Sequence, residues 1–412
     1  MKILIYGAGV IGQIYAARLH EAGHDVTVLA RHRTLETLAR DGITLVNGAL
    51  VNGDTSGPVR VNVTGHVGPD SSFELALVTV RRDQLGEILP AMAELQASHM
   101  VMMQNNSLEL ASVGDIVGRD RTLFGFPGVG GYRRDDGAIE YIEIPQQPTT
   151  LGWQQGREEI VGEVFKSAGF AVATTADMDG WLKTHAVFIA AICGSINSCG
   201  GDAVKLAADR ERVATMIRSA GEGFRALTSK GVAVQPRPLR MIFTVVPRVF
   251  AVRYWQGQLR GTVGTVALAP HSKMTKDTEL PVLYRDVQKL VGGTVPTPHL
   301  DKLLSLTPLL CLRSQQVASA NHIIQPGELR HRAVTGHWAC LRGTFASATR
   351  IVAGSIVAMI SDRNGDSDAC PCLPRTRRDG LGGNPEARTR CRYGCDSAGG
   401  RHNDLWYGPS YS

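Results

Sequence analysis

A glycine-rich turn follows the first apolar segment of the chain and could bind a dinucleotide. The turn comprises Gly7, Ala8, Gly9, Val10, Ile11 and Gly12. Gly7 would permit a tight turn, Gly9 would let the backbone approach a pyrophosphate, and Gly12 would allow a helix to pack closely on a strand. The helix N-terminus would add amide donors and a partial positive charge. The pattern predicts a dinucleotide site, and the alternative is a glycine turn that binds no ligand.

Two arginines follow the second apolar segment, at the place where NAD-binding proteins usually have an acidic side chain for the ribose hydroxyls. Arg31 and Arg33 stand there in this chain, and the acid is missing. A guanidinium group pairs well with a phosphate, so Arg31 favours NADPH over NADH as the cofactor. The alternative is an arginine that is solvated at the surface.

Polar residues also follow two later apolar segments. Arg81 could reach the same adenosine phosphate, although charged residues are common at exposed strand ends. Asn105 follows an apolar run that ends at Met103, and it could hydrogen-bond nicotinamide or substrate, or instead form a turn or cap a helix. The carboxyl ends of parallel strands meet at one edge of a sheet, so both residues are candidates for a common site.

A lysine stands at the start of an otherwise apolar helical pattern. Lys183 precedes Phe188, Ile189 and Ile192. Partial burial lowers the pKa of an ammonium group, and a lysine in such a place can donate a proton to a developing alkoxide. Lys183 is therefore a candidate catalytic residue. An equal alternative is a lysine whose charged head extends from the helix end into water.

These residues require a fold that brings strand ends together. Short apolar runs alternate with helical patterns up to about residue 144, which predicts an α/β fold with a Rossmann-type parallel sheet. The alternation from Ala138 to Ile144 predicts an antiparallel edge strand. Longer helical patterns follow at 158–167, 180–197, 209–230 and 279–291. We expect an NADPH-binding Rossmann domain over residues 1–156, a mainly helical substrate domain over 157–305 and a largely disordered tail over 306–412.

The composition is that of a globular protein. The 412 residues are 43% hydrophobic and 20% charged, with a formal net charge of +6. So small an excess of positive charge gives no reason to expect a nucleic-acid partner. No apolar run reaches the roughly 18 residues of a membrane span, and the early turn at Gly7 leaves no room for a signal peptide. We expect a cytoplasmic protein.

The chain resembles the ketopantoate reductase (2-dehydropantoate 2-reductase) family over about residues 1–305. The glycine motif is shared by many dehydrogenases, and its combination with the other segments makes the resemblance more specific. The residues that carry it are the glycine turn, Ala30-Arg31, Val80-Arg81, Gln104-Asn105 and Trp181-Leu182-Lys183. The resemblance implies that NADPH delivers hydride to a small 2-keto acid in a cleft between a Rossmann domain and a helical domain.

The resemblance also implies roles for single residues. Lys183 would match the family's general acid, Arg31 its NADPH-phosphate arginine and Asn105 its cleft asparagine, while Arg81 stands where the family usually has lysine. The segment that contains Asp277 and Glu279 is similar to one that leads to a substrate-binding glutamate, so both are candidate substrate residues. The oligomeric state is left open, with a homodimer as one option.

The chain departs from the family at positions that hold the substrate. The family has asparagines four and eight residues after its lysine, where this chain has Val187 and Ala191. His185 lies about 200° around the helix from Lys183, so it cannot replace them. Losing substrate hydrogen bonds favours a less polar keto acid or ketone. The alternative is a non-catalytic protein that binds NADPH.

A second departure concerns the later segment. Lys273 occupies the position of a family serine, and no glutamate stands at the usual distance after Asp277. Glu279 or Asp286 would have to supply that carboxylate.

Four cysteines near the end of the chain, Cys370, Cys372, Cys391 and Cys395, raise the question of a zinc site. Four thiolates could bind zinc tetrahedrally, but neither pair has the two-residue spacer typical of structural sites. The segment contains no lysine and is rich in Arg and Gly. These features favour a disordered tail or an altered reading frame, and we predict no bound metal.

Overall fold

The computed structural model describes residues 1–50, 54–68, 70–105, 110–293 and 295–305. The predicted tail over 306–412, with six of the eight cysteines, lies outside these residues. The remaining two, Cys193 and Cys199, are buried free thiols.

The chain has a mixed α/β fold, and its strands all lie before residue 176 in the part that the structure describes. They are β1 Lys2–Tyr6, β2 Asp25–Leu29, β3 Ile43–Asn47, β4 Asp54–Val59, β5 Asn62–Thr64, β6 Ser72–Val78, β7 Gln96–Met102, β8 Thr122–Phe126, β9 Val129–Arg133, β10 Ile139–Glu143, β11 Thr149–Gly152 and β12 Val172–Thr175.

An 8-stranded sheet has the order β12-β11-β8-β7-β6-β1-β2-β5. From β5 to β8 all neighbouring strands are parallel, and β11 pairs antiparallel with β8. Ile3, Leu4 and Ile5 of the central β1 are inaccessible to solvent. Burial on both faces of the sheet is typical of parallel strands that are covered by helices. The predicted Rossmann-type parallel sheet is confirmed.

A second, 4-stranded sheet has the order β4-β3-β10-β9. The predicted strand from Ala138 to Ile144 corresponds to β10, which pairs antiparallel with β9 as expected. Its expected place at an edge is wrong, because its other side pairs in parallel with β3. The hairpin that supplies β3 comes from about ninety residues earlier in the chain, so the local alternation could not reveal it.

The helices are α1 Val10–Glu21, α2 His32–Asp41, α3 Leu85–Glu94, α4 Leu110–Val117, α5 Arg157–Ser167, α6 Met178–Ser198, α7 Ala203–Ala208, α8 Arg210–Ser229, α9 Arg237–Thr244, α10 Arg248–Arg260, α11 Ala269–Thr275, α12 Glu279–Val291 and α13 298–305. A 3-10 turn at Arg82–Gln84 precedes α3, and a π-helical segment at Val263–Leu268 precedes α11. The four long helices that the sequence predicted correspond to α5, α6, α8 and α12.

The helical part is built around α6 and α8, and both begin at aspartates that cap them. Asp177 accepts a hydrogen bond from the Gly180 amide at 2.8 Å, and Asp209 caps α8 in the same way. Side-chain capping satisfies amides that otherwise have no partner in the first turn of a helix. The helices pack closely where Val187 meets Gly223, since a Cβ built at Gly223 would lie 2.4 Å from Val187 Cγ1.

The large sheet extends past residue 156, where the sequence placed the domain boundary. β12 pairs in parallel with β11, and α5 connects the two strands. The boundary itself and the three predicted segments stay predictions. In the residues described above, no helix is both long enough and apolar enough to cross a bilayer.

Candidate functional site

The glycine turn connects β1 to α1 and is held by two side chains. Thr79, just after β6, donates a hydrogen bond from its hydroxyl to the Gly7 carbonyl at 2.9 Å. Gln13 Nε2 donates to the Ala8 carbonyl at 2.6 Å. Gly7 has a φ of +120°, a conformation that side chains with a Cβ rarely adopt. The turn is therefore shaped by its own backbone and by the neighbouring strand.

The other two glycines have different surroundings. A Cβ at Gly12 would lie 2.0 Å from the Gly7 carbonyl oxygen, so the close packing of α1 on the turn leaves no space for a side chain at this position. A Cβ at Gly9 would meet nothing within 4 Å, so the backbone there is open to an approaching group. The first turn of α1 carries no acidic side chain. Its amides and partial positive charge could hold a pyrophosphate, and the dinucleotide site stays a prediction.

Arg31 lies beside this turn because β2 pairs with β1 in parallel, with Leu29 opposite Tyr6. Its side chain is exposed, and it makes no ion pair or side-chain hydrogen bond with the residues that the structure describes. Arg33, in the first turn of α2, is exposed as well. The guanidinium of Arg31 is therefore accessible to a phosphate at the sheet edge where the glycine turn lies.

Arg81 differs from Arg31 because its guanidinium is engaged. Its Nε and Nη2 donate to the two carboxylate oxygens of Asp83 at 3.0 and 3.1 Å. The hydrogen bonds that Arg81 donates to Asp83 raise the pKa of Arg81, and the charge of Glu279 adds to the effect. Arg81 therefore stands between the edge of the sheet and the start of α12, and an adenosine phosphate would have to compete with Asp83 for it.

The two candidate substrate carboxylates have opposite environments. Glu279 begins α12 and is buried, whereas Asp277 is exposed and lies 3.7 Å from Lys276 Nζ. Asp286, the other carboxylate that the sequence offered, is buried and forms an ion pair with Arg82. Glu279 and Asp286 are thus both buried near the end of β6, Glu279 close to the charge of Arg81 and Asp286 paired with Arg82, whereas Asp277 is exposed.

Asn105 follows β7 and is 8% exposed. Its side-chain oxygen is buried and has no hydrogen-bond partner among the described residues. Gln104, its neighbour, instead donates to the Val78 carbonyl at 3.0 Å and ties the end of β7 to β6. A buried carbonyl oxygen without a donor is costly, so Asn105 is suited to accept a hydrogen bond from a ligand.

The start of α6 packs against the same edge of the sheet. Met178, Trp181 and Leu182 form an apolar cluster with Phe124 and Phe126 of β8. Lys183 follows this cluster, and its side chain is 21% exposed. The ammonium pairs with Asp179, one turn earlier in α6. The predicted partial burial of Lys183 is present, together with an acidic partner that the sequence analysis did not consider.

The two positions at which the family resemblance implies asparagines lie in the helical core. Val187 and Ala191 are inaccessible to solvent, and Val187 packs on Gly223 of α8. Neither side chain lines an open surface. The apolar side chains at these two positions thus belong to the close packing of α6 on α8.

His185 also lies in an apolar environment. Its ring is stacked on Trp181 with centroids 5.2 Å apart and contacts Phe126 at 4.0 Å. Burial lowers the pKa of His185 to about 3, with a smaller effect from His271. The ring is therefore neutral near pH 7, and it packs as an aromatic side chain.

Ser272 and Asn197 form a polar contact that the sequence analysis missed. The Ser272 hydroxyl lies 2.8 Å from Asn197 Oδ1 and 3.2 Å from the Cys193 carbonyl. Lys273, which stands at the family's serine position, is exposed. Asn197 and Lys183 are separated by about 21 Å along α6 at 1.5 Å per residue. A small keto acid could not touch both, so this contact belongs to the packing of α11 on α6.

Thr79 and Gln13 are the residues of the turn that sequence reasoning missed. Gln13 directly follows the glycine motif, and its spacing from Ala8 offered a local signal. Thr79 is 72 residues from Gly7, and only the pairing of β1 with β6 brings them together. In the described part of the chain, no group of three or more His, Cys, Asp or Glu side chains could hold a metal ion.

Comparison with known sequences gives a partial match to one family. Residues 3–155 match the model of the family described as ketopantoate reductase PanE/ApbA. The 2-dehydropantoate 2-reductase of Pyrococcus horikoshii is 24% identical over 250 residues, which cover 59% of this chain and 78% of that protein. The enzyme of the same name from Archaeoglobus fulgidus is 27% identical over 199 residues, which cover 46% of this chain and 62% of that protein.

Solved structures share the fold at low sequence identity. The 2-dehydropantoate 2-reductase from Geobacter metallireducens aligns with a TM-score of 0.60 and 16% identity, over 75% of this chain and 99% of that one. D-Mandelate dehydrogenase with NADH and anilino(oxo)acetate aligns with a TM-score of 0.57 and 13% identity, over 75% and 98% of the two chains. These likenesses concern the arrangement of the sheet and the helices.

Proposed function

We propose an activity for this chain from the premise that it is a divergent member of the ketopantoate reductase family. The chain is an oxidoreductase that binds a nicotinamide dinucleotide at the glycine turn. The observation that carries this proposal is the open backbone at Gly9 beside the closed packing at Gly12. The first turn of α1 has no acidic side chain that would repel a pyrophosphate.

The cofactor in this proposal is NADPH. Arg31 is exposed and has no acidic partner in the described chain, so it can pair with the 2′-phosphate. Arg33 adds a second positive charge, and no carboxylate occupies the end of β2 to accept ribose hydroxyls. Arg81 has a smaller part, because Asp83 engages its guanidinium.

The reaction is the reduction of the carbonyl group of a small keto substrate. The bound cofactor would supply a hydride to the carbonyl carbon. Lys183 is the catalytic general acid that holds the proton for the carbonyl oxygen, and Asn105 orients a reactant through its buried side-chain oxygen. Lys183 would leave Asp179 as it turns to the substrate.

The substrate is a 2-keto acid or related ketone that is less polar than ketopantoate. Val187 and Ala191 offer no hydrogen bond to a substrate hydroxyl or carboxylate, and both are buried. Glu279 is the carboxylate best placed to contact the substrate, whereas Asp277 is exposed. The proposed reaction requires only a small-molecule substrate as its partner. A homodimer and a cytoplasmic location stay predictions.

A second candidate is a protein that binds NADPH without turning over a substrate. The contact of Val187 with Gly223 favours it, because a helix–helix core replaces the family's substrate asparagines. The ion pair of Lys183 with Asp179 favours it as well, since the amine already has a partner. Tight binding of NADPH without turnover on any substrate of a panel would select this candidate.

Two measurements test the proposal. The first is fluorescence titration of the full chain with NADPH and with NADH, for wild type and Arg31→Gln. The variant should bind NADPH at least tenfold more weakly, with little change in its affinity for NADH. NADPH oxidation is then followed with a panel of 2-keto acids for wild type and Lys183→Ala. The exposed Lys166, which pairs with Glu163 on α5, provides a matched control as Lys166→Ala.

Each outcome separates the candidates. Turnover that falls by orders of magnitude in Lys183→Ala and is unchanged in Lys166→Ala would support the reductase. Equal turnover in wild type, Lys183→Ala and Lys166→Ala would show that Lys183 takes no part in the reaction. A lack of dinucleotide binding in wild type would contradict both candidates.

A further inference from the structure

A cavity of about 490 Å³ lies in the helical part of the molecule, formed by α8, by residues 243–248 and by the start of α13. Small-molecule sites in proteins commonly have volumes of 300–1,000 Å³. A neighbouring cavity of about 370 Å³ shares Arg218 and Arg248 with the first. None of the residues of the glycine turn, and neither Lys183 nor Asn105, lines either cavity.

The acidic side chains of this region are already paired. Glu222 accepts hydrogen bonds from the backbone amides of His299 and Leu300 at 2.9 and 3.1 Å, and its other oxygen lies 2.6 Å from His299 Nδ1. This carboxylate thus stabilises the first turn of α13. Glu211 pairs with Arg218 at 2.9 Å.

Two arginines of the cavity are not balanced by an acid. Arg225 and Arg248 line it, both are exposed, and neither has an ion pair with the residues that the structure describes. The cavity therefore has an excess of positive charge after its internal pairs are counted. A guanidinium group at a concave surface is well suited to bind phosphate or carboxylate.

The floor of the cavity is apolar. Ile217 and Phe243 line it and are each 6% exposed. The close approach of α8 and α9 fixes this floor, because a Cβ at Gly221 would lie 2.8 Å from the Phe243 carbonyl oxygen. An apolar floor with a cationic rim complements a molecule that has both an apolar body and an anionic group.

We propose that this cavity is a binding site for a small molecule that carries a phosphate or carboxylate group on an apolar body. Arg225 and Arg248 bind the anionic group, and Phe243 contacts the apolar body. The site is separate from the proposed dinucleotide site and does not rest on the proposed reductase activity. It lies on α8, the helix that Val187 of α6 contacts at Gly223.

Phenyl phosphate is the probe that tests this site. It is titrated into the full chain by calorimetry, with and without saturating NADPH, and saturable binding with one site per chain is expected in both cases. The double variant Arg225→Gln/Arg248→Gln should lower the affinity at least tenfold. The matched control is Arg237→Gln/Arg253→Gln, which removes two exposed arginines of α9 and α10 that do not line the cavity and should leave the affinity unchanged.

Further probes distinguish the sources of binding. Phenylacetate tests whether a carboxylate replaces the phosphate, and phenol tests the apolar body by itself. Phenol binding as tightly as phenyl phosphate would overturn the proposal, since the arginines would then contribute nothing. The proposal would also be overturned if the two double variants bound phenyl phosphate with equal affinity. The same holds if NADPH displaced the probe or if the wild-type chain showed no saturable binding. Thermal unfolding of each variant checks that the substitution of exposed arginines leaves the fold intact.

Discussion

Arg82 and Asp286 form an ion pair that joins the 3-10 turn after β6 to α12, with Arg82 Nε 3.6 Å from Asp286 Oδ2. The side chains are 11% and 8% exposed. Removing one partner of a buried pair leaves the other charge without compensation. We expect Asp286→Asn to lower the free energy of unfolding by about 3 kcal/mol, measured by urea denaturation.

The double variant Arg82→Gln/Asp286→Asn removes both charges and should be less destabilised than the sum of the single variants. An exposed pair on α4 and the following loop, Arg119 with Asp115, serves as the control, and its disruption should change stability little. Additive effects at Arg82 and Asp286 would show that the two charges do not interact.

Gly9 and Gly12 should respond differently to the same substitution. Gly12→Ala places a Cβ against the Gly7 carbonyl and should cost about 1–3 kcal/mol of stability. Gly9→Ala meets no protein atom within 4 Å and should leave the melting temperature nearly unchanged, while it weakens NADPH binding at least tenfold. Thermal unfolding and fluorescence titration separate the two effects. Unchanged NADPH affinity in Gly9→Ala would mean that no pyrophosphate lies on this turn.

His185 should make the fold sensitive to acid. Its pKa falls from 6.5 to about 3 on burial, so between these values the unfolded chain binds a proton that the folded chain does not. The free energy of unfolding should therefore fall as the pH falls through this window, by at most about 1.4 kcal/mol per pH unit from this group.

His185→Phe keeps an aromatic ring against Phe126 and Trp181 and should reduce that slope. The measurement is chemical denaturation at several values from pH 7 to pH 4. His66→Phe changes an exposed histidine and is the matched control. The same slope in wild type and His185→Phe would show that another group causes the acid sensitivity.

Introducing an asparagine at position 187 should destabilise the protein. Val187→Asn buries an amide against Gly223 and should cost about 2–3 kcal/mol, because the amide would lack hydrogen-bond partners in this packed core. We expect no gain in NADPH oxidation with ketopantoate. Val204→Asn, at an exposed valine of α7, is the control that should leave stability nearly unchanged. Ketopantoate reduction in a stable Val187→Asn variant would contradict this account.

Local patterns were sufficient to predict the glycine turn and the long helices. The apolar segment Lys2–Tyr6 and the glycines after it specify a strand, a turn and a helix within about twenty residues. In the same way, α12 extends from Glu279 to Val291 as its periodicity indicated. Both are cases in which the interactions that form the element lie close in sequence.

Contacts between distant segments could not be predicted in this way. The partner of β10 on its inner side, β3, comes from a hairpin earlier in the chain, so the strand looked like an edge. The polar contacts of the site are similar, since Thr79 reaches Gly7 only through strand pairing. For Lys183 the acidic partner was one turn away and could have been read from the i, i+4 spacing with Asp179.

The contact of Val187 with Gly223 has an evolutionary consequence. Two positions 36 residues apart share one small volume, and because Gly223 is already the smallest residue, a side chain at position 223 requires a smaller one at position 187. Descendants of this chain would accept such changes together or in a fixed order.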